Sequence, residues 1–317
     1  MKPPARLGLL AAFAGVYIIW GSTYLAILFA IQSMPPLVMA GARFLLAGAI
    51  LYAIARISGA ARSNLIEWRT AAIVGTCLLL GGNGGVTLSE QYIPSGLAAL
   101  LVATVPLYTV LLMWLFRMGD RPTPLTGFGL AVGFVGVGVL VGPALHVSRG
   151  NESSAAWIGM VILLVSSLIW SLGSLYARKA QNARSSFLAA SQQMLCGGGL
   201  MFLIGTARGE LRHFHPDQIS MVSLGAFAYL VLIGGILGYG SYAYLLKHCD
   251  PAKVATYAYV NPVVAVLLGA LFAGEKLNLR TFVAAALIIG SVAIVITGGR
   301  KRHDEAERIA ETMCPAD

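Results

Sequence analysis

Charge is scarce in this sequence. Asp, Glu, Lys and Arg make up 11% of its 317 residues, where a soluble chain carries roughly a quarter. With 57% hydrophobic residues and a mean hydropathy of +0.78, the deficit excludes a large water-soluble domain. Cysteine is also sparse. Cys77, Cys196, Cys249 and Cys314 have no paired spacing and two lie within apolar runs, so neither a disulfide framework nor a metal site is expected. All five histidines fall in loops, at the ends of apolar runs or in the tail, and the metal-like spacing of "HFH" (213–215) lacks a third ligand. There is no G-x-S-x-G, no phosphate-binding loop and no pair of acids inside an apolar run. These absences argue against an enzyme, against a cofactor and against nucleotide-driven pumping.

The net charge of +9 is carried by short basic segments between apolar runs, without interleaved aromatics. That pattern sets membrane orientation and does not suit nucleic acid. What fills the chain is apolar runs of about 20 residues, the length that crosses a bilayer. Ten are read, at about 7–29, 35–57, 70–91, 95–116, 124–142, 156–177, 186–205, 220–245, 253–273 and 279–297. The first is longer than the roughly 7–15 residues of a signal peptide's apolar core and ends at no A-x-A-like site, so it is read as a membrane helix. With the N-terminus inside, the inner segments hold sixteen Lys and Arg and the outer ones five (Arg149, Arg208, Arg212, Lys276 and Arg280), with Arg43 left within a span. This asymmetry places both termini in the cytoplasm.

The runs repeat. "LTGFGLAVGFVGVGVLV" (125–141) lies over "LRTFVAAALIIGSVAIVI" (279–296), and Trp20 pairs with Trp170, Gly48 with Gly198, Gly82 with Gly238 and Pro106 with Pro262. A five-helix unit, 7–142, is therefore used again at 156–298, and an odd number of spans turns the second copy upside down. A polar tail, 299–317, follows. The fold expected is an all-α integral membrane protein of ten transmembrane helices in two inverted five-helix repeats, a common transporter plan with a midplane site.

Pro106 and Pro262 each interrupt an apolar run, followed by "GDR" and "GEK" respectively. Proline removes a backbone donor and breaks or kinks a helix, so both are read as cavity-side breaks with a gating role. The alternative is helix curvature alone. "GGNGG" (81–85) and "GGILGYG" (234–240) are read as close helix contacts through small residues, with gating flexibility as the alternative.

Polar groups fall on both sides of the midplane. Arg43 lies about 12 Å past the start of its span and Asn83 about 10 Å before the end of its own. Tyr239 and Asn261 lie about 12 Å from the opposite surface. Arg43 is the one basic residue deep in a span; it holds a substrate carboxylate or, structurally, ties helix ends together. Its repeat partner is Gln193. Trp20, Thr23, Tyr24, Tyr108, Trp170, Tyr242, Tyr257 and Tyr259 complete the candidate cavity as an aromatic and polar set suited to stacking and cation–π contact. Glu90 is the acid nearest the core. It carries a proton for antiport or meets a substrate amine, or else caps the helix mouth in solvent.

"YIIWGSTYLAI", "PPLVMAGARFLLAG", "NGGVTLSEQYIPSGLAALLVATVPL" and "YAYVNPVVAVLLGALFAGEKL" resemble, in order and duplication, the EamA family of the drug/metabolite transporter superfamily. The resemblance covers nearly the whole chain. It implies ten helices, a bacterial inner-membrane location and secondary-active export of small metabolites such as amino acids. Export of cationic or aromatic toxic compounds is the alternative, and a membrane enzyme or channel fits less well. The expected partners are a small-molecule solute, the lipid bilayer and a coupling proton, with monomer and homodimer both open.

Overall fold

The computed structural model describes residues 6–118, 123–146, 153–248 and 257–295. Ten helices are named here in chain order: α1 (Arg6–Ala30), α2 (Pro36–Ile57), α3 (Leu65–Ser89), α4 (Ser95–Leu115), α5 (Pro124–His146), α6 (Ser153–Lys179), α7 (Ser186–Ala207), α8 (221–248), α9 (Tyr257–Phe272) and α10 (Leu279–Val295). Among the described residues, seven are long and apolar enough to cross a membrane and α5, α9 and α10 carry shorter apolar runs. The tail 299–317 lies outside the described residues. Large apolar side chains face outward, including Leu7, Ile57, Leu65, Leu271 and Leu279, as a lipid-facing surface requires.

Helix ends follow from local chemistry. Asn64 and Glu67 form a reciprocal capping box at the start of α3, and Pro35 and Pro94 precede α2 and α4. Lipid offers no hydrophobic drive between helices, so close approach through small residues carries the packing. It is tightest between α2 and α7: a side chain on Gly41 would meet the Phe202 backbone, one on Gly48 would meet Met194, and one on Gly198 would meet Phe44. Gly75 of α3 packs against the backbone of Gln193 and Gly197. These three helices form a scaffold of near-touching backbones.

The two glycine runs do pack closely, and they do something more. Each lies in or beside a π-helical stretch, Thr76–Gly84 in α3 and Leu230–Leu237 in α8, a form frequent at functional sites. Trp170 of α6 lies on Gly82, and Trp20 of α1 lies on Gly238. Ser166 lies on Gly85, and Ser241 on Gly15. The Trp–Gly contact is thus made twice with matching residues, whereas the Ser–Gly contact has its serine on α6 in one case and on α8 in the other.

The proline expectation divides. In α4 the helix breaks into turns at Ala103–Thr104 and restarts with Pro106 in its first turn. Ser171 Oγ donates to the Val105 carbonyl there at 3.1 Å, as a break packed within protein needs. Pro262 sits inside a continuous α9, so the expected second break is absent and the proline bends at most.

One end of the bundle is shut. Ile27, Ala30, Met34, Ile93, Ala98, Leu100 and Leu101 form one buried cluster there. Polar contacts tie the end of α1 to the start of α8: Ser220 N–H donates to Ser33 Oγ (3.1 Å), and Ser223 Oγ donates to the Phe29 carbonyl (2.7 Å).

Candidate functional site: a one-sided cavity

A cavity of ≈ 530 Å³ runs into the bundle from the opposite end. Its mouth lies by Arg178 at the end of α6 and its wall by Gln193 near the start of α7 and Tyr257 at the start of α9. Its blind end lies by Arg43, Asn83 and Val86. Segments from α1, α2, α3, α4, α6, α7, α8 and α9 line it.

Most of the expected residues meet there. Trp20, Thr23, Tyr24, Arg43, Asn83, Trp170, Gln193, Tyr239, Tyr242, Tyr257 and Asn261 line the cavity, as do Pro106 and Pro262. Tyr108 does not. Its ring packs edge-on against Phe134 of α5, with centroids 6.1 Å apart, because it falls on the face of α4 turned from the cavity. The side chain of Tyr259 lies outside the described residues.

Arg43 is 4% exposed. Its Nη2 donates to Asn83 Oδ1 at 3.3 Å, its Cζ sits 4.4 Å from the centre of the Phe44 ring, and its Nε has no acceptor. Among the described residues no carboxylate is within ion-pair distance of it. A guanidinium offers five donors in a planar fork, and most of this one's are unspent at the blind end. The expected tie to helix-end carbonyls is not made. Asn83 is presented by the π-helical stretch of α3, so the irregular backbone delivers the partner of Arg43.

Glu90 is not a solvated cap. It is 4% exposed, and neither carboxylate oxygen has a hydrogen-bond partner. It ends α3 and is not among the residues that line the cavity. A buried carboxyl of this kind has no hydrogen bond to offset the cost of holding a charge.

Four aromatic rings form the wall between blind end and mouth. Trp20 lies 6.4 Å from Tyr239, 5.1 Å from Tyr242 and 5.2 Å from Tyr257, and Tyr242 lies 6.0 Å from Tyr257. The Asn261 amide, turned so that its nitrogen meets the carbonyls of Tyr17 and Tyr257 (3.2 Å each), pins α9 to α1.

Two features escaped the sequence reading. Arg178 lies at the mouth as an exposed residue, its Nη1 3.7 Å from Met113 Sδ. In sequence it looks like an ordinary loop-end charge; only its place on the cavity side of α6 distinguishes it. Ser166 and Ser167 line the wall with Trp170 and Ser174 at three- to four-residue steps along α6, and the Ser167 hydroxyl has no partner. That helical spacing was visible in "SSLIWSLGS".

Comparison with known proteins gives a consistent result. The model of the EamA-like transporter family matches residues 6–142 and again 157–297. The chain is 38% identical over 293 residues to the uncharacterized inner membrane transporter YedA of Escherichia coli (strain K12), covering 92% of each. It is 28% identical to a probable amino-acid metabolite efflux pump of the same organism, covering 90% of this chain and 94% of that one. A crystal structure aligns with a TM-score of 0.59 at 20% identity, over 91% of this chain and 97% of the other, which supports a shared fold.

Proposed function

From the premise that this chain belongs to the EamA-like transporter family, and is therefore an inner-membrane transporter, we propose that it exports small carboxylate-bearing metabolites by alternating access. Amino acids and related amphiphiles are the first candidates. The observation that carries this reading is the charge of the cavity. Its only charged lining residues among those described are two guanidiniums, Arg43 at the blind end and Arg178 at the mouth. A pocket of one sign concentrates ions of the other, and a guanidinium fork matches a carboxylate. Cationic drugs would meet two like charges, so drug efflux takes second place. The aromatic wall is the feature that favours it, through cation–π attraction.

The proposed frame is ten spans in two inverted repeats, 7–142 and 156–298. The two segments matched by one family model support it, as do the paired Trp–Gly contacts of α1 with α8 and of α6 with α3. With both termini in the cytoplasm, as the basic residues favour, the open mouth faces the cytoplasm and the conformation is the one that loads an export substrate. Glu90 is the proposed site of proton coupling. Counterflow in proteoliposomes tests the carrier reading: labelled amino acid enters faster when unlabelled amino acid waits inside. A rate indifferent to the far side would indicate a channel. Counterflow of quaternary amines without counterflow of any amino acid would overturn the cargo assignment.

A further inference from the structure

The shut end of the bundle carries the same small device twice. A helix ends, a glycine with positive φ reverses the chain, and the glutamate that follows caps the start of a helix from the first half of the chain. Gly209 has φ 83° and Gly274 φ 65°, a conformation that glycine adopts without penalty. Glu210 Oε2 accepts from the Leu37 and Val38 N–H groups at the start of α2 (2.9 and 3.0 Å). Glu275 Oε1 accepts from Ser95 N–H and Ser95 Oγ (2.6 Å each), and its Oε2 from Gly96 N–H (3.0 Å), at the start of α4. Charge-assisted bonds of this length are the strong ones, and each carboxylate also meets the positive end of a helix.

The surroundings of the two differ. Glu210 caps α2, which is knit to α7 through Gly41, Gly48 and Gly198 and has no room to move. Glu275 caps the half-helix Ser95–Val102, which ends at the break Ala103–Thr104. That half-helix lines the cavity with Ala99 and Val102 and seals the shut end with Ala98, Leu100 and Leu101. Gly96 and Gly269 leave the space in which the Glu275 carboxylate sits: a side chain on either would run into it.

We propose that Glu275 is the releasable gate residue of the shut face, holding the half-helix 95–102 closed until it swings about Ala103–Thr104, whereas Glu210 is a fixed anchor. This rests on the alternating-access reading above, since a seal that opens is needed only there. It assigns a function to the "GEK" motif.

Access can be read without a substrate. In a background with the native cysteines replaced, Val102→Cys is labelled with a membrane-impermeant maleimide in intact cells and in inverted vesicles, giving a ratio of labelling rates from the two faces. Loss of three bonds to a charged group, each a sizeable contribution, should shift that ratio toward the shut face by roughly tenfold or more in Glu275→Ala. Glu275→Gln and Ser95→Ala, which keep part of the cap, should shift it less and in that order. Glu210→Ala should lower the melting temperature and leave the ratio alone. The proposal fails if folded Glu275→Gln and Ser95→Ala both keep the parent ratio, even where Glu275→Ala does not fold, or if Glu210→Ala shifts the ratio as far as the Glu275 variants. A shifted ratio without amino-acid counterflow would keep the gate and remove the cargo assignment.

Discussion

Replacing Arg43 with alanine tests the cargo assignment most directly. The guanidinium is buried, spends one bond of 3.3 Å on Asn83 and leaves its Nε without an acceptor. Truncating one partner of a buried, hydrogen-bonded charge pair costs about 2–5 kcal/mol. At about 1.4 kcal/mol per factor of ten, the affinity for a carboxylate-bearing solute should fall roughly thirtyfold to several thousandfold. The fold should lose little. The variant forfeits one long bond and one ring contact worth about 0.5–2 kcal/mol, while removing a buried charge that has no ionic partner. The assay is counterflow in proteoliposomes with radiolabelled amino acids and their methyl esters, for parent and variant. The acid should lose its signal in Arg43→Ala, and the ester, which has no carboxylate, should change by less than about threefold. The difference of differences isolates the guanidinium–carboxylate coupling. Equal loss for acid and ester, with normal protein levels, would refute the reasoning; so would an unchanged rate for the acid.

Other substitutions probe other parts of the argument. Glu90→Gln removes no hydrogen bond, so the fold should be kept, while uptake into inverted vesicles driven by a pH gradient should vanish and exchange persist; an unchanged pH profile clears Glu90 of proton coupling. Trp20→Ala removes a ring in contact with three tyrosines, and should lower stability by about 3 kcal/mol, the low end for loss of a large aromatic, with Trp20→Phe restoring most of it in a thermal-shift measurement by size-exclusion fluorescence. Gly41→Val should cost about 1–3 kcal/mol or more through collision with the Phe202 backbone. Gly138→Ala, whose site is open, should gain about 0.5–1 kcal/mol through helix propensity and chain entropy.

Span positions were legible because the bilayer imposes one dominant condition, a minimum apolar length, and the chain can satisfy it only by long runs. Predicted and observed helices differ by only a few residues at most ends, as at 95–116 against Ser95–Leu115. Local backbone form was less legible. Pro106 and Pro262 stand in matching sequence positions, yet only the first interrupts its helix; proline sets a local cost, and packing decides whether a helix breaks or bends. The π-helical stretches in α3 and α8 were hidden because glycine runs are equally compatible with close packing in an ordinary helix. For the site, Trp20, Arg43, Asn83 and Asn261 were found because polar or amphipathic groups deep in apolar runs are expensive anywhere else. Tyr108 was misplaced because depth along a helix fixes height and not azimuth. Arg178 was missed for the converse reason: a charge at a helix end costs nothing, so its type carries no signal. Glu210 and Glu275 act through backbone groups of helices distant in sequence, and a helix start does not announce its cap.

The duplication also bears on what the cavity can select. The Trp–Gly contact of the scaffold comes as a pair, Trp20 on Gly238 and Trp170 on Gly82. The charges do not. Arg43 corresponds to Gln193, and Glu90, at the offset that relates Gly82 to Gly238, corresponds to Leu246. Two inverted copies with identical chemistry would offer a solute the same contacts whichever end entered first. On the proposed function, the guanidinium of Arg43 at the blind end would break that equivalence and give a solute with one carboxylate one preferred orientation, acid toward Arg43 and side chain along the aromatic wall. On the same reading, repetition would supply the means of opening to either side, and the unpaired residues the selection. Introducing Gln193→Arg should accordingly add a guanidinium to the wall besides those of Arg43 and Arg178 and favour dicarboxylates over monocarboxylates in counterflow competition. Unchanged selectivity in a folded variant would show that position 193 is too far from the bound solute to read it.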